Sequence, residues 1–268
     1  MENRQPDYRF FCLGVFVLIA GTIVFRANGG ALDIAITNFF YNADLMPGNR
    51  FFLARLQPWD WFKKNDSTFA IVLIFPLAFM LVLGLIRSSF RGLVRYASFG
   101  LSSVLIGPGL VVNVLFKGFW GRPRPSQTLI FADSLTPDEL PFYKVWQPAF
   151  LDGLDKASFP CGHASIVIAY IVIAYIFINP QISSRLFGEF RPWKLKLFIG
   201  LKYFGLVLAF AGGFVMGLTR IVQGAHFASD VLWSFGMVLL VNWIVYYFVF
   251  KIPQWEMKIM TQTADMTA

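Results

Sequence analysis

The chain contains only two histidines, and the residues around each are of types that do chemistry on anions. In residues 219–230, TRIVQGAHFASD, His226 is followed four positions later by Asp230. Helical geometry beyond Gly224 would put both on one face, so that the carboxylate reaches the imidazole. A carboxylate on one ring nitrogen fixes the tautomer and leaves the other nitrogen basic and directed outward. Arg220 stands just upstream, across the turn-prone pair Gln223 and Gly224, as a fixed cation. The set suits attack on an anionic centre. A capped helix start with a structural histidine accounts for this stretch alone equally well.

Two further stretches shift the balance. Residues 117–125, KGFWGRPRP, place Lys117, Arg122 and Arg124 at the end of an apolar run, with Pro123 and Pro125 stiffening the backbone. Cations on a rigid turn make an oxyanion clamp, and arginine offers phosphate a planar fork. Residues 158–165, SFPCGHAS, shape a turn with Pro160 and Gly162, and a helix beginning near His163 presents free N–H groups at its positive end. Both histidines fall on the same predicted side of the chain's apolar blocks, each beside a basic or N–H-rich turn. Arg122 and Lys156 are further candidates for contact with a second anionic group.

The elements that must position these residues are apolar. Of 268 residues, 57% are hydrophobic and 14% charged, and the apolar residues come in long blocks, which excludes an ordinary soluble domain. Spans are predicted at 10–25, 69–86, 96–116, 163–178, 197–218 and 227–250, giving an all-α polytopic bundle of six transmembrane helices. The first is read as a retained helix, because residues 27–30 offer no clear small-x-small cleavage site. The net charge of +8 lies in short loops, which points to membrane topology and away from nucleic acid. Arg87, Arg91, Arg95, Arg185, Arg191, Lys194, Lys196, Lys251 and Lys258 all fall on one side if both termini are cytoplasmic, which leaves both histidines on the other side. Leu32, Ala35, Ile36, Phe39 and Phe40 have the spacing of an amphipathic helix in the interface, and Trp59, Trp61 and Phe62 add boundary aromatics. The expected organisation is two spans with the interfacial helix in 1–95, a core carrying the three stretches in 96–250, and a tail in 251–268 that is uninformative and frayed from 261 onward.

Lys117-x6-Arg124-Pro125, Pro160-x-Gly162-His163 and Thr219-Arg220-x5-His226-x3-Asp230 resemble, in order and spacing, the three signature motifs of the type 2 phosphatidic acid phosphatase superfamily. That superfamily holds membrane lipid phosphate phosphatases and soluble vanadium haloperoxidases, and the apolar runs favour the membrane branch. The resemblance implies that His226 is the nucleophile on phosphorus, with Asp230 orienting it. It makes His163 the general acid and then the base that activates water. Lys117, Arg124 and Arg220, with the Gly162 N–H, hold the phosphoryl oxygens. No cofactor is implied, and two histidines committed to catalysis leave no metal-ligand set. Thr219 and Cys161 stand where serine is usual. Cys161 is either a small, weakly polar stand-in at the phosphate or a thiolate nucleophile at a helix start. The latter lacks the arginine that a cysteine-phosphatase loop needs, since Val167 occupies that place.

These residues imply a membrane phosphatase acting on a phosphorylated lipid. Lipid A, phosphatidylglycerophosphate, phosphatidate and undecaprenyl diphosphate are the substrates of similar bacterial proteins, and the aromatic-rich outer connections and GRPRP clamp look like the lipid A phosphatase branch. The expected location is a bacterial inner membrane with the site facing the periplasm. A phosphotransferase using the same phosphohistidine is the first alternative. A transporter is the second, and it would need charges deep within several spans.

Overall fold

The computed structural model describes residues 8–133, 140–148, 157–187 and 191–265. Apart from one bridge between Thr128 and Leu140, these residues form helices and loops. The first helix, α1 (Arg9–Ala27), stops where Gly29 and Gly30 take positive φ, and the chain turns by 87° into α2 (Ala31–Asn38). A short α3 (Trp59–Lys64) leads into α4 (Asp66–Ile86). Next, α5 (Gly92–Val104) runs on through π-helical turns at Leu105–Phe116 to Lys117–Trp120. Pro108 lies inside that stretch and has no N–H for the α-helical ladder; Asn113 Nδ2 donates back to its carbonyl at 2.7 Å.

Beyond the second long connection lie α6 (Gly162–Ile168), α7 (Ile171–Ile176) and α8 (Pro180–Leu186). Then α9 (Pro192–Val207) continues through π-helical Leu208–Gly212 to Gly213–Val222. The last two are α10 (Ala228–Ile244, extended by Val245–Val249) and α11 (Ile252–Asp265). Among the described residues, four helices are long and apolar enough to cross a membrane: Asp66–Ile86, Gly92–Gln127, Pro192–Val222 and Ala228–Val249. The bent α1–α2 pair makes a fifth candidate. The predicted fourth span, found at Gly162–Ile176, is shorter and interrupted, and it is wrapped by protein: Ala164, Ile168, Ile171, Val172 and Tyr175 are buried.

Small residues set the helix spacing, as they do where helices approach in lipid. Leu18 of α1 rests on Gly236 of α10, and Leu232 of α10 rests on Gly21 of α1. The loop between α4 and α5 and the start of α11 meet at one end of the bundle, where Arg95 donates to the Phe250 carbonyl. Lys117 lies at the far end of α5, so the three motif stretches gather at the other end of the bundle.

Helix α2 lies within the predicted amphipathic stretch, turns Asp33 and Thr37 into the protein and leaves Phe39, its C-cap residue, 75% exposed. The cause is Asp33, whose carboxylate pairs with the buried Arg122 at 2.9 Å and draws that side of the helix inward. The expectation of a tail frayed from 261 onward is corrected, since α11 runs on to Asp265. Helix α11 docks through the buried Glu256, which accepts from Tyr96 Oη at 2.5 Å and from the Asn179 amide. Residues 266–268 lie outside the described residues.

Candidate active site

At the end of α9 the chain reverses so that the amides of Ala225 and His226 both donate to the Arg220 carbonyl, at 3.0 and 3.3 Å. Gly224 makes the reversal at φ +62°, and Phe51 lies where any side chain would stand, 2.3 Å from an added Cβ. His226 therefore sits in a turn, fully buried, and α10 begins only at Ala228. The predicted same-face helical pairing with Asp230 is corrected accordingly. Asp230 Oδ2 lies 3.8 Å from His226 Nδ1, within electrostatic reach but beyond a hydrogen bond. Its closer partners are the Phe227 N–H at 2.8 Å, Ser158 Oγ at 2.5 Å and Arg122. Asp230 caps the helix start and faces the imidazole from there.

Arg122 is buried, with each guanidinium nitrogen engaged. Nη1 donates to Asp230 and to Ser229 Oγ, Nη2 to Asp33 Oδ2, and Nε to the Tyr143 carbonyl at 2.8 Å. The Phe227 ring covers it at 4.3 Å. Contact between Arg122 and a second anionic group is thus ruled out by geometry, and Lys156 lies outside the described residues. The two arginines of GRPRP have parted: Arg122 turns into the protein, while Arg124 lies within electrostatic reach of Lys117, Arg220 and Cys161.

Helix α6 begins beside them. Cys161 is its extended N-cap residue; its N–H donates to the Asp230 carbonyl at 3.3 Å, and its own carbonyl accepts from Ser234 Oγ at 3.0 Å. Gly162 is pressed against Asn113, whose Oδ1 would lie 2.4 Å from an added Cβ. One residue on, the His163 ring lies 6.5 Å from that of His226, centroid to centroid, at 62°. His163 Nε2 is 2.7 Å from Asp66 Oδ2, in the first turn of α4.

Lys117, Arg124 and Arg220 lie within electrostatic reach of one another around this pair. Arg220 Nη1 donates to Gln223 Oε1 at 2.8 Å, and Gln223 in turn donates to the Trp59 carbonyl of α3 at 3.1 Å. Several buried nitrogens here have no hydrogen-bond partner among the described residues: Arg124 Nε, Arg220 Nε, His163 Nδ1, and both ring nitrogens of His226. Unpartnered polar atoms are costly in a finished interior, and the guanidinium donors among them suit an oxygen-rich anion.

Burial lowers the His226 pKa to about 3, and Arg220 and Lys117 push the same way against Asp230. Its imidazole is neutral near neutral pH, with a free lone pair. The Cys161 thiol is pushed up to about 11, chiefly by burial, so it is protonated there, which disfavours the thiolate alternative.

Sequence reasoning missed Asp66, Asp33, Ser158 and Asn113. Asp33 was visible as an acid within an apolar stripe, and Asp66 as an acid just ahead of an apolar run; neither signal says what the group pairs with.

The sequence model of the PAP2 superfamily matches residues 96–254. A lipid A 4'-phosphatase of Francisella tularensis subsp. novicida is 32% identical over 229 residues, 82% of this chain and 87% of that protein. A lipid A 4'-phosphatase of Rhizobium etli is 56% identical over 41 residues, 15% of this chain and 16% of its own. No solved structure gives a significant match.

Proposed function

The chain belongs to the PAP2 superfamily, and from that premise we propose that it is a lipid phosphatase that removes a phosphate monoester from lipid A through a phosphohistidine. The observation that carries this reading is a pair of imidazoles with ring centroids 6.5 Å apart, accompanied on the same motif stretches by buried Arg124 and Arg220 nitrogens without partners among the described residues.

His226 Nε2, the ring nitrogen away from Asp230, attacks phosphorus. A P–N bond forms as the ester P–O bond breaks, and the departing oxygen takes its proton from the His163 imidazolium. Neutral His163 then removes a proton from water, whose oxygen attacks phosphorus and expels His226. Asp230 supports the positive charge that develops on His226, and Asp66 supports that on His163. Lys117, Arg124 and Arg220, with the Gly162 N–H, answer the charge on the equatorial oxygens, which is the main barrier in phosphoryl transfer. Cys161, a neutral thiol at the N-cap, fills the place of a serine. No metal enters these steps.

The name of the Francisella relative supports lipid A as substrate, at its 4'-phosphate. The proposed topology has six spans, both termini in a bacterial cytoplasm and a periplasmic site; the loop charges support its orientation, since Arg91 and Arg95 share one end of the bundle with the start of α11, away from the histidines. Helix α2 and α3 lie at the site end, where α3 supplies interfacial aromatics. The proposed organisation is two spans with α2 in 1–95, a core carrying the three motif stretches in 96–250 and a tail from 251 that docks through Glu256.

Phosphate release from lipid A, phosphatidylglycerophosphate, phosphatidate and undecaprenyl diphosphate, with and without EDTA, beside His226→Ala, tests the proposal. Release from lipid A that survives EDTA and is lost in the variant supports it. Transfer of the phosphoryl group to an added acceptor lipid in place of release would put a phosphotransferase in its stead.

A further inference from the structure

A groove of about 650 Å³ opens on the flank of the bundle between the helices that carry His163, Asp66 and Arg220. Its walls are continuations of the helices that carry the site. Val167 lies one turn below His163 on α6, Met216 one turn below Arg220 on α9, and Phe69 follows Asp66 on α4; all three line it. The deepest lining residue on the α6–α7 wall, Ile173, is ten residues from His163, on the order of 15 Å along a helix and half the ~30 Å hydrocarbon thickness.

The groove is apolar over its length, with polar groups confined to its outer end at Asn65 and Thr68. The Tyr170 hydroxyl does not point polarity into it, since it donates to the Phe69 carbonyl at 2.8 Å. Space is made on the α9 side by Ala211 and Gly212, which fall in the π-helical stretch Leu208–Gly212. An extra residue per turn there displaces the helix wall, and such turns recur at functional sites. Trp61 and Phe62 of α3 roof the outer end, and α3 is tied through Gln223 to Arg220, a phosphate-holding cation.

We infer that this groove binds an acyl chain of the phosphorylated lipid whose headgroup sits between His163 and His226. The occupant must be apolar along one leaflet's depth, must emerge at the cationic site, and must enter sideways from the bilayer; an acyl chain joined to a phosphate-bearing headgroup meets all three conditions. The inference rests on the phosphatase reading.

The test compares lipid A with its chemically deacylated, water-soluble headgroup as substrates for the full-length protein and for Ala211→Phe, reconstituted in vesicles. Ala211 is exposed on the flank, so the larger ring fills the groove without entering the core. The expected result is a fall of about tenfold or more in kcat/KM for lipid A, with the deacylated headgroup turned over as before. An equal fall on both substrates, or no fall on either, overturns the acyl-chain assignment; the latter means that bulk lipid fills the groove. Wild-type protein that releases phosphate from neither substrate overturns the phosphatase reading, and the groove assignment with it.

Discussion

His163 Nε2 is held at 2.7 Å by Asp66, so an acid that precedes the family-matched segment fixes one of the two site imidazoles. The contact links α4 to α6 across the mouth of the groove. It also splits the labour between carboxylates. Asp66 bonds its histidine directly, whereas Asp230 faces His226 at 3.8 Å and spends its hydrogen bonds on Arg122, Ser158 and the Phe227 N–H.

Asp66 is expected to matter in proportion to the need for a proton donor. Asp66→Asn should lower kcat about 10–100-fold on an alkyl phosphate, a part of what general acid catalysis supplies. With an aryl phosphate, whose oxygen departs without a proton, the loss should shrink toward wild type. Equal losses on the two leaving groups would remove Asp66 from the acid's support.

The two arginines of GRPRP should fail differently. Arg122→Ala strands two buried carboxylates, Asp33 and Asp230, and breaking a buried pair of this kind costs about 3–5 kcal/mol. Thermal unfolding in detergent should show a large drop in Tm, and Arg122→Lys should restore only part, because a lysine cannot make the forked contacts. Arg124→Ala should leave Tm nearly unchanged and weaken inhibition by inorganic phosphate.

His226 should make the fold acid-sensitive. Its pKa of about 3 lies below the unfolded value of about 6.5, so the unfolded chain takes up the proton first. The stability tied to a neutral His226 is whole above about pH 6.5 and is lost as pH falls toward 3. Tm measured from neutral to acid pH should therefore fall less steeply in His226→Asn than in the wild type. Parallel curves would contradict the depressed pKa.

Cys161 should be silent toward thiol reagents. With its pKa pushed up to about 11 and its side chain buried, it should resist maleimide near neutral pH in a Cys12→Ser background, and Cys161→Ser should keep activity or raise it. Rapid labelling with loss of turnover would give the sulfur a direct role.

The sequence by itself determined the helical class, the apolar blocks and the residue types of the site, because these depend on local pattern. Runs of apolar side chains fix helices in a membrane, and the spacing Lys117 to Arg124, Gly162 to His163 and Arg220 to Asp230 is carried by single turns and helix starts. What each side chain pairs with was decided only by tertiary structure. Asp33, Arg122 and Asp230 are far apart in the chain, and burial made their mutual pairing obligatory, since a lone charge in that interior would be far more costly. That demand turned α2 polar side inward, took Arg122 out of the proposed phosphate site and left Asp230 facing His226 without bonding it. The groove, too, exists only because α4, α6 and α9 converge, a relationship between helices that no one helix's pattern encodes.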